Sequence, residues 1–135
     1  MYLIALLDSA DGAWGASFPD LDGATAMGDS PEEALANAQE ALRDWVEARK
    51  AGGFGVPEQR SITDLLRDPE VLEALQEGAT FGRVLLVEDL GRPVKANLSL
   101  DSGVLAAIDN TAKRLGITRS AMVERLAKER LPEYA

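Results

Sequence analysis

Apolar and polar residues alternate over a short stretch in the last third of the chain. Residues 94–100 fit a β-strand, because successive side chains of a strand point to opposite faces. The two faces of this predicted strand differ in polarity, with Val94, Ala96, Leu98 and Leu100 on the apolar face and Lys95, Asn97 and Ser99 on the polar face. Such a strand has one side suited to a protein core and another suited to water or to a polar ligand.

Two helices are predicted after this strand. The first has Asp101 or Ser102 as its N-cap and stops at Gly116, and the second begins after Thr118 and ends at Pro132. A single strand of this kind is unstable, because its backbone groups lack partners and its apolar face lacks cover. A second copy of the chain supplies both, so we predict two antiparallel strands from two subunits, with four helices over their apolar face.

The sequence VKANLSLDSGVLAAIDNTAKRLGITRSAMVERLAKERL, at about residues 93–131, resembles a ribbon-helix-helix DNA-binding domain. The resemblance rests on the polar face of the strand, the turn at Gly116 and the cap formed by Thr118, Arg119 and Ser120. In that family the paired strands enter the DNA major groove. The resemblance therefore implies a dimeric DNA-binding domain.

Lys95, Asn97 and Ser99 are the predicted base-reading residues of this domain. A lysine can donate to guanine and an asparagine can form two hydrogen bonds with adenine, in a groove about 12 Å wide that admits two strands. The alternative is an ordinary solvent-facing edge strand, in which lysine is common as a protection against aggregation.

Thr118, Arg119 and Ser120 are predicted to contact a DNA backbone phosphate. The free N–H groups and the positive dipole at the N-terminus of a helix attract anions, and Arg119 adds a full positive charge. An ordinary N-cap is the alternative, and the two interpretations are compatible because the same residues can cap the helix and face a phosphate.

The first ninety residues predict a small sheet with one helix packed on it. Strands are predicted at residues 2–7, 13–18 and 24–27, and the pair Asp11-Gly12 is a hairpin signal between the first two. A helix is predicted from Ser30 as N-cap to about residue 50. Its apolar stripe consists of Leu35, Ala38, Leu42, Trp45 and Val46.

The rest of the first ninety residues is predicted to form an irregular insertion, followed by a strand that rejoins the sheet. Residues 58–82 predict two short helices separated by Asp68-Pro69, and a strand at residues 83–88 is predicted to rejoin the sheet. Residues 91–93 form the predicted hinge. We therefore predict two domains, one over residues 1–91 with an insertion at residues 58–82, and one over residues 92–135.

A series of short motifs in the first domain points to a second family. Asp-Gly-x-Trp, Phe-Pro-Asp-Leu-x-Gly and Gly-Asp-Ser-Pro-Glu-Glu-Ala follow one another within residues 11–34. With the helix that ends near Gly-Gly and the following Pro57, they resemble the N-terminal domain of HicB antitoxins over about residues 1–59. The resemblance implies an α+β fold similar to a reduced ribonuclease H-like domain, here followed by a dimeric ribbon-helix-helix domain. It also implies a partner, the small RNA-cleaving HicA toxin, but no toxin-binding residue can be assigned from the sequence.

The composition and the distribution of charge limit the kinds of site and partner that the chain can have. The absence of Cys and His excludes disulfides, thiolate zinc sites and the commonest general base. The net charge of −9 is uneven: residues 1–92 hold 7 basic and 18 acidic residues (7 − 18 = −11), and residues 93–135 hold 7 and 5 (7 − 5 = +2). An acidic first domain fits the basic RNA-binding surface of a toxin, although acidity can also serve solubility alone. The second domain can approach DNA phosphates. We expect its affinity for DNA to be modest per subunit, so that binding needs a dimer or a higher assembly.

Five aspartates of the first domain raise the possibility of a metal-dependent nuclease site: Asp8, Asp11, Asp20, Asp22 and Asp29. We predict turn residues instead, because aspartate is common in turns and the sequence shows no convergence of the five carboxylates. No metal and no cofactor are predicted.

The function predicted from the sequence is that of an antitoxin of a type II toxin–antitoxin system, not an enzyme. It binds a HicA-like toxin and represses its own operon at an inverted-repeat operator, as a homodimer or a tetramer. The alternatives are a ribbon-helix-helix regulator with a ligand-sensing N-terminal domain and a residual carboxylate nuclease. The apolar start lacks a basic segment and predicts a strand rather than a signal peptide, and no apolar run spans a membrane, so we expect a cytoplasmic protein.

Overall fold

Four antiparallel strands form the sheet of the first part of the chain: β1 (Tyr2–Ala10), β2 (Ala13–Phe18), β3 (Leu21–Gly28) and β4 (Thr80–Leu85). Their order across the sheet is β3-β2-β1-β4. The β1–β2 hairpin turns at Asp11 and Gly12, both with positive φ (54° and 79°). A two-residue hairpin of the commonest type requires this conformation at both positions, so the predicted Asp-Gly turn is confirmed.

Helix α1 (Pro31–Ala51) covers one face of the sheet, as predicted. The hydroxyl of Ser30 accepts the N–H of Glu33 at 3.1 Å, which confirms the predicted N-cap. The fully covered side of the helix consists of Ala34, Ala38, Leu42 and Val46. The predicted stripe was therefore slightly rotated, because Leu35 and Trp45 are only partly buried and Ala34 takes a central place.

Several strands begin or end at other residues than the sequence predicted, because hydrogen bonds to the neighbouring strand decide where a strand begins and ends. β3 begins at Leu21, three residues before the predicted start, and β1 continues to Ala10. The predicted strand at residues 83–88 is shifted, since β4 spans Thr80–Leu85, where Phe81 pairs with Leu6 and Val84 pairs with Leu3. The prediction that this strand rejoins the sheet is confirmed.

The insertion contains the two predicted short helices, α2 (Ile62–Leu65) and α3 (Pro69–Gln76). Arg60 ties it to the β2–β3 turn, with its Nε 2.6 Å from Oδ1 of Asp20 and its backbone N–H donating to Oδ2 at 2.8 Å. Its Nη1 also donates to Asp68, the N-cap of α3, at 2.8 Å. These hydrogen bonds lower the pKa of Asp68 and raise the pKa of Arg60.

The computed structural model describes residues 1–134, and its contacts divide the chain into two units, Met1–Leu86 and Val87–Tyr134. The second unit contains α4 (Ser102–Leu115), α5 (Arg119–Arg130) and a short 3-10 helix (Leu131–Tyr134). The division falls after Leu86, a few residues before the predicted hinge. Within residues 1–134, no helix has the length and apolar character needed to cross a membrane.

Candidate functional site

The predicted strand at residues 94–100 carries the base-reading candidates, and all three of them, Lys95, Asn97 and Ser99, are exposed. The apolar residues between them are exposed as well, with Val94 at 88%, Leu98 at 68% and Leu100 at 44%. In the described single chain, this stretch belongs to no helix or strand. A strand is recognised by hydrogen bonds to a partner, and the predicted partner is a second molecule, so the ribbon stays a prediction.

The helices behind this stretch begin at the predicted caps, and α5 ends at Arg130, two residues before the predicted end at Pro132. The carboxylate of Asp101 accepts the N–H groups of Gly103 and Val104 at 2.8 and 3.3 Å and so caps α4. Gly116 ends that helix with a left-handed φ of 70°. Thr118 caps α5, with its hydroxyl accepting the N–H of Ala121 at 3.1 Å. The exposed segment, the helix, the glycine turn and the capped second helix follow one another in the order that the ribbon-helix-helix resemblance implies.

The predicted phosphate contact includes a residue that already has an anionic partner. Arg119 donates from Nε and Nη2 to the two carboxylate oxygens of Asp109, at 2.7 and 2.8 Å. This bidentate pair joins the start of α5 to α4, and it lowers the pKa of Asp109 and raises that of Arg119. The side chain of Thr118 is used by the cap, and Ser120 is exposed. A phosphate that approached Arg119 would therefore compete with a carboxylate.

The second unit has almost no core within one chain. Among its described residues, the buried apolar side chains are Ala112 of α4 and Met122 of α5. The exposed large hydrophobic residues, each with more than a third of its surface exposed, are Leu90, Val94, Leu98, Leu100, Val104, Leu115, Leu126, Leu131 and Tyr134. Burying apolar surface is the main source of stability in a small domain, so the contacts within one chain stabilise this unit only weakly.

An aromatic stack lies on the surface of the first unit, at the C-terminal end of α1. The guanidinium of Arg49 lies 5.1 Å from the ring centre of Trp45 and 5.4 Å from that of Phe54. Trp45 donates its indole N–H to the carbonyl oxygen of Asp22 at 3.0 Å, and Arg49 donates to that of Gly55 at 2.8 Å. The sequence placed Trp45 in the apolar stripe and gave no role to Phe54, because contacts of this kind depend on the loop that follows the helix.

The five aspartates are not all turn residues. Asp8 lies in β1 and Asp22 in β3, so the turn prediction was wrong for these two, whereas Asp11 lies in the hairpin turn. Asp20 serves the ion pair with Arg60. Within residues 1–134 there is no group of three or more carboxylates that could hold a metal ion.

The chain is similar to HicB antitoxins in the comparisons with a family model and with solved structures. A family model described as "HicB_like antitoxin of bacterial toxin-antitoxin system" matches residues 2–127. The crystal structure of the Burkholderia pseudomallei antitoxin HicB is similar with a TM-score of 0.54 and 27% identity, covering 98% of each chain. The crystal structure of the antitoxin HicB3 has a TM-score of 0.58 and 27% identity, covering 96% of each chain. A structure of a HicA3 and HicB3 toxin–antitoxin complex matches 65% of this chain and 100% of that one, with a TM-score of 0.54 and 26% identity. No curated protein matches the chain.

Proposed function

Because the chain belongs to the HicB-like antitoxin family of bacterial toxin–antitoxin systems, we propose that it neutralises a HicA-like toxin through its first unit. We further propose that the second unit pairs with a second copy and represses the operon of the toxin–antitoxin pair at an inverted-repeat operator. The two activities are separate in the chain, because the charge of residues 1–92 (7 − 18 = −11) opposes DNA binding and that of residues 93–135 (7 − 5 = +2) permits it.

Two features support the toxin-binding half of the proposal. The match to the HicA3 and HicB3 complex covers 65% of this chain. The strong acidity of the first domain would speed the encounter with a toxin that has a basic RNA-binding surface and would exclude RNA from that surface. A HicA-like partner also favours an antitoxin over a regulator that senses a small ligand. It further favours a regulatory role over an enzymatic one.

One observation carries the DNA-binding half: apolar and polar side chains alternate in a stretch whose apolar members are exposed in the single chain. If Leu98 and its apolar neighbours pack against a second molecule, the polar residues Lys95, Asn97 and Ser99 must face outward, because alternate side chains of a strand point in opposite directions. A two-fold pair of such strands presents matched polar rows to a major groove, which fits an inverted-repeat operator. Dimerisation and DNA recognition would then depend on the same seven residues.

Co-expression tests the toxin-binding half. The tagged chain is produced with the reading frame adjacent to its gene, and the purified material is analysed by mass. We expect a small basic protein to co-purify and the growth arrest caused by that protein alone to be relieved. Asn97→Ala is the matched control, because it changes the predicted DNA contact and leaves the first unit intact. If the neighbouring product neither co-purifies nor arrests growth, the toxin-binding proposal is wrong and the ligand-sensing alternative gains.

A gel-shift titration tests the DNA-binding half. The probes are the DNA upstream of the gene and a scrambled duplex of the same length and base composition. We expect preferential binding to the upstream duplex, with a steep loss of affinity as salt increases. Equal binding to both duplexes would contradict operator recognition.

A further inference from the structure

The ion pair between Asp109 and Arg119 is a bidentate contact of the second unit that the proposed function does not use. Both hydrogen bonds are short, 2.7 and 2.8 Å, and the two groups face each other in the bidentate geometry that matches a guanidinium to a carboxylate. The side chains are nevertheless 60% (Arg119) and 40% (Asp109) exposed. The pair is therefore well formed and still within reach of a ligand from solvent.

A DNA phosphate and a carboxylate compete for the same donors. Each presents a pair of anionic oxygens that can accept two N–H groups of one arginine. Arg119 can turn to a phosphate only by leaving or sharing Asp109, and a phosphate that reached Arg119 would also lie close to the negative charge of Asp109. An exposed ion pair of this kind is weak enough to be exchanged.

We propose that Asp109 is an internal competitor for the DNA phosphate at Arg119 and that it lowers the affinity of this protein for DNA. The inference rests on the proposed DNA binding by the second unit. A self-repressing antitoxin benefits from such a restraint, because a repressor that binds too tightly cannot be released when its concentration falls. Since phosphates carry no sequence information, the restraint acts on all DNA sequences alike.

The variant Asp109→Asn tests this competition with little change in shape. Two subunits of a dimer each lose one opposing ion pair, so we expect DNA to be bound roughly 2- to 30-fold more tightly by the variant. The gain should be equal for the upstream duplex and the scrambled duplex, and it should shrink as salt increases because the exchanged charges are exposed.

Glu133→Gln is the matched control. Glu133 pairs with Arg130 at 2.8 Å, with side chains 58% and 68% exposed, so the substitution releases an arginine and removes the same charge elsewhere in the unit. We expect a clearly smaller gain. In the background Arg119→Gln, Asp109→Asn should add no more than this control adds, because the competing donor is already absent.

The outcomes separate the inference from the function on which it rests. If the wild-type chain binds DNA and Asp109→Asn binds equally or more weakly, or gains no more than Glu133→Gln, the inference is wrong and the DNA-binding proposal stands. A gain that persists in the Arg119→Gln background also overturns it. If neither the wild type nor any variant binds either duplex, both proposals fail. Circular dichroism of each variant confirms that an observed change is not a loss of helix.

Discussion

Leu98 offers the most direct test of the predicted ribbon. It lies on the apolar face of residues 94–100, and in the single chain 68% of its surface is exposed. If a second subunit covers it, then Leu98→Ala removes apolar contacts that exist only in the dimer. The substitution preserves the backbone and the polar face, so its effect on association reports packing alone.

The size of the effect follows from the exposed fraction. Leu→Ala removes three carbon groups worth about 0.8 kcal/mol each, or about 2.4 kcal/mol when all are buried. Since 68% of the surface of Leu98 is exposed in the single chain and can be buried in the dimer, the substitution removes about 1.6 kcal/mol of dimer stability per subunit. Both subunits of a two-fold dimer carry the substitution, so the free energy of dimer formation should weaken by about 3 kcal/mol. This corresponds to about two orders of magnitude in the dissociation constant.

Sedimentation equilibrium over a concentration series measures this constant. The matched control is Leu90→Ala, since Leu90 is 64% exposed in the same unit and precedes the predicted strand. We expect Leu98→Ala to dissociate at about hundredfold higher concentration than the wild type and Leu90→Ala to behave almost as the wild type. Equal effects of the two substitutions would refute the ribbon, and a wild-type chain that stays monomeric at all concentrations would refute the dimer itself.

Three further predictions concern DNA contact, packing and pH. Asn97→Ala should cost about 1–3 kcal/mol in operator binding and relax base preference at one position, measured by gel shift with mutated operators; an unchanged preference would remove Asn97 from base recognition. Gly28→Ala should destabilise the first unit by about 1–3 kcal/mol in urea unfolding, because an added Cβ would lie 2.5 Å from the backbone nitrogen of Ala34; Gly55→Ala, with no atom within 4 Å of the added carbon, is the control. Because pairing with Arg60 lowers the pKa of Asp68, the pair stabilises the fold above the ordinary value of 3.8 and is lost as pH falls through the lower folded pKa. Asp68→Asn should therefore reduce the drop in melting temperature on acidification, and an identical drop would show that the pair does not contribute.

The parts of the structure that depend on neighbouring residues could be predicted from the sequence almost to the residue. Ser30, Asp101 and Thr118 cap their helices and Gly116 ends one, because a cap is formed within three or four residues of chain. The Asp-Gly turn between β1 and β2 is local in the same sense. The order of elements in the first unit and the two helices of the second followed from such signals and from hydrophobic periodicity, whereas the strand at residues 94–100 stays a prediction.

The parts that depend on distant residues could not be predicted to this accuracy. The bounds of β4 are set by its register against β1, and the sequence alone does not give a register between residues eighty positions apart. The ion pair of Arg60 with Asp20 joins residues 40 positions apart, and that of Arg119 with Asp109 joins residues 10 positions apart across a turn. The phosphate prediction for Arg119 took account of its charge but missed its carboxylate partner for this reason.

The least predictable part is the one that, in the proposed function, a second molecule completes. The first unit buries a continuous set of side chains between its sheet and α1, so its own residues determine its fold. In the second unit, Ala112 and Met122 are the described buried apolar residues, and eight of its leucine and valine side chains are exposed in the single chain. In the proposed pairing, the strand register decides which residues face the DNA, because a slip of one residue would turn Leu98 outward and Asn97 inward. The apolar row would then hold the polar row toward the groove, and we predict that the chain reads DNA only to the extent that it associates with itself.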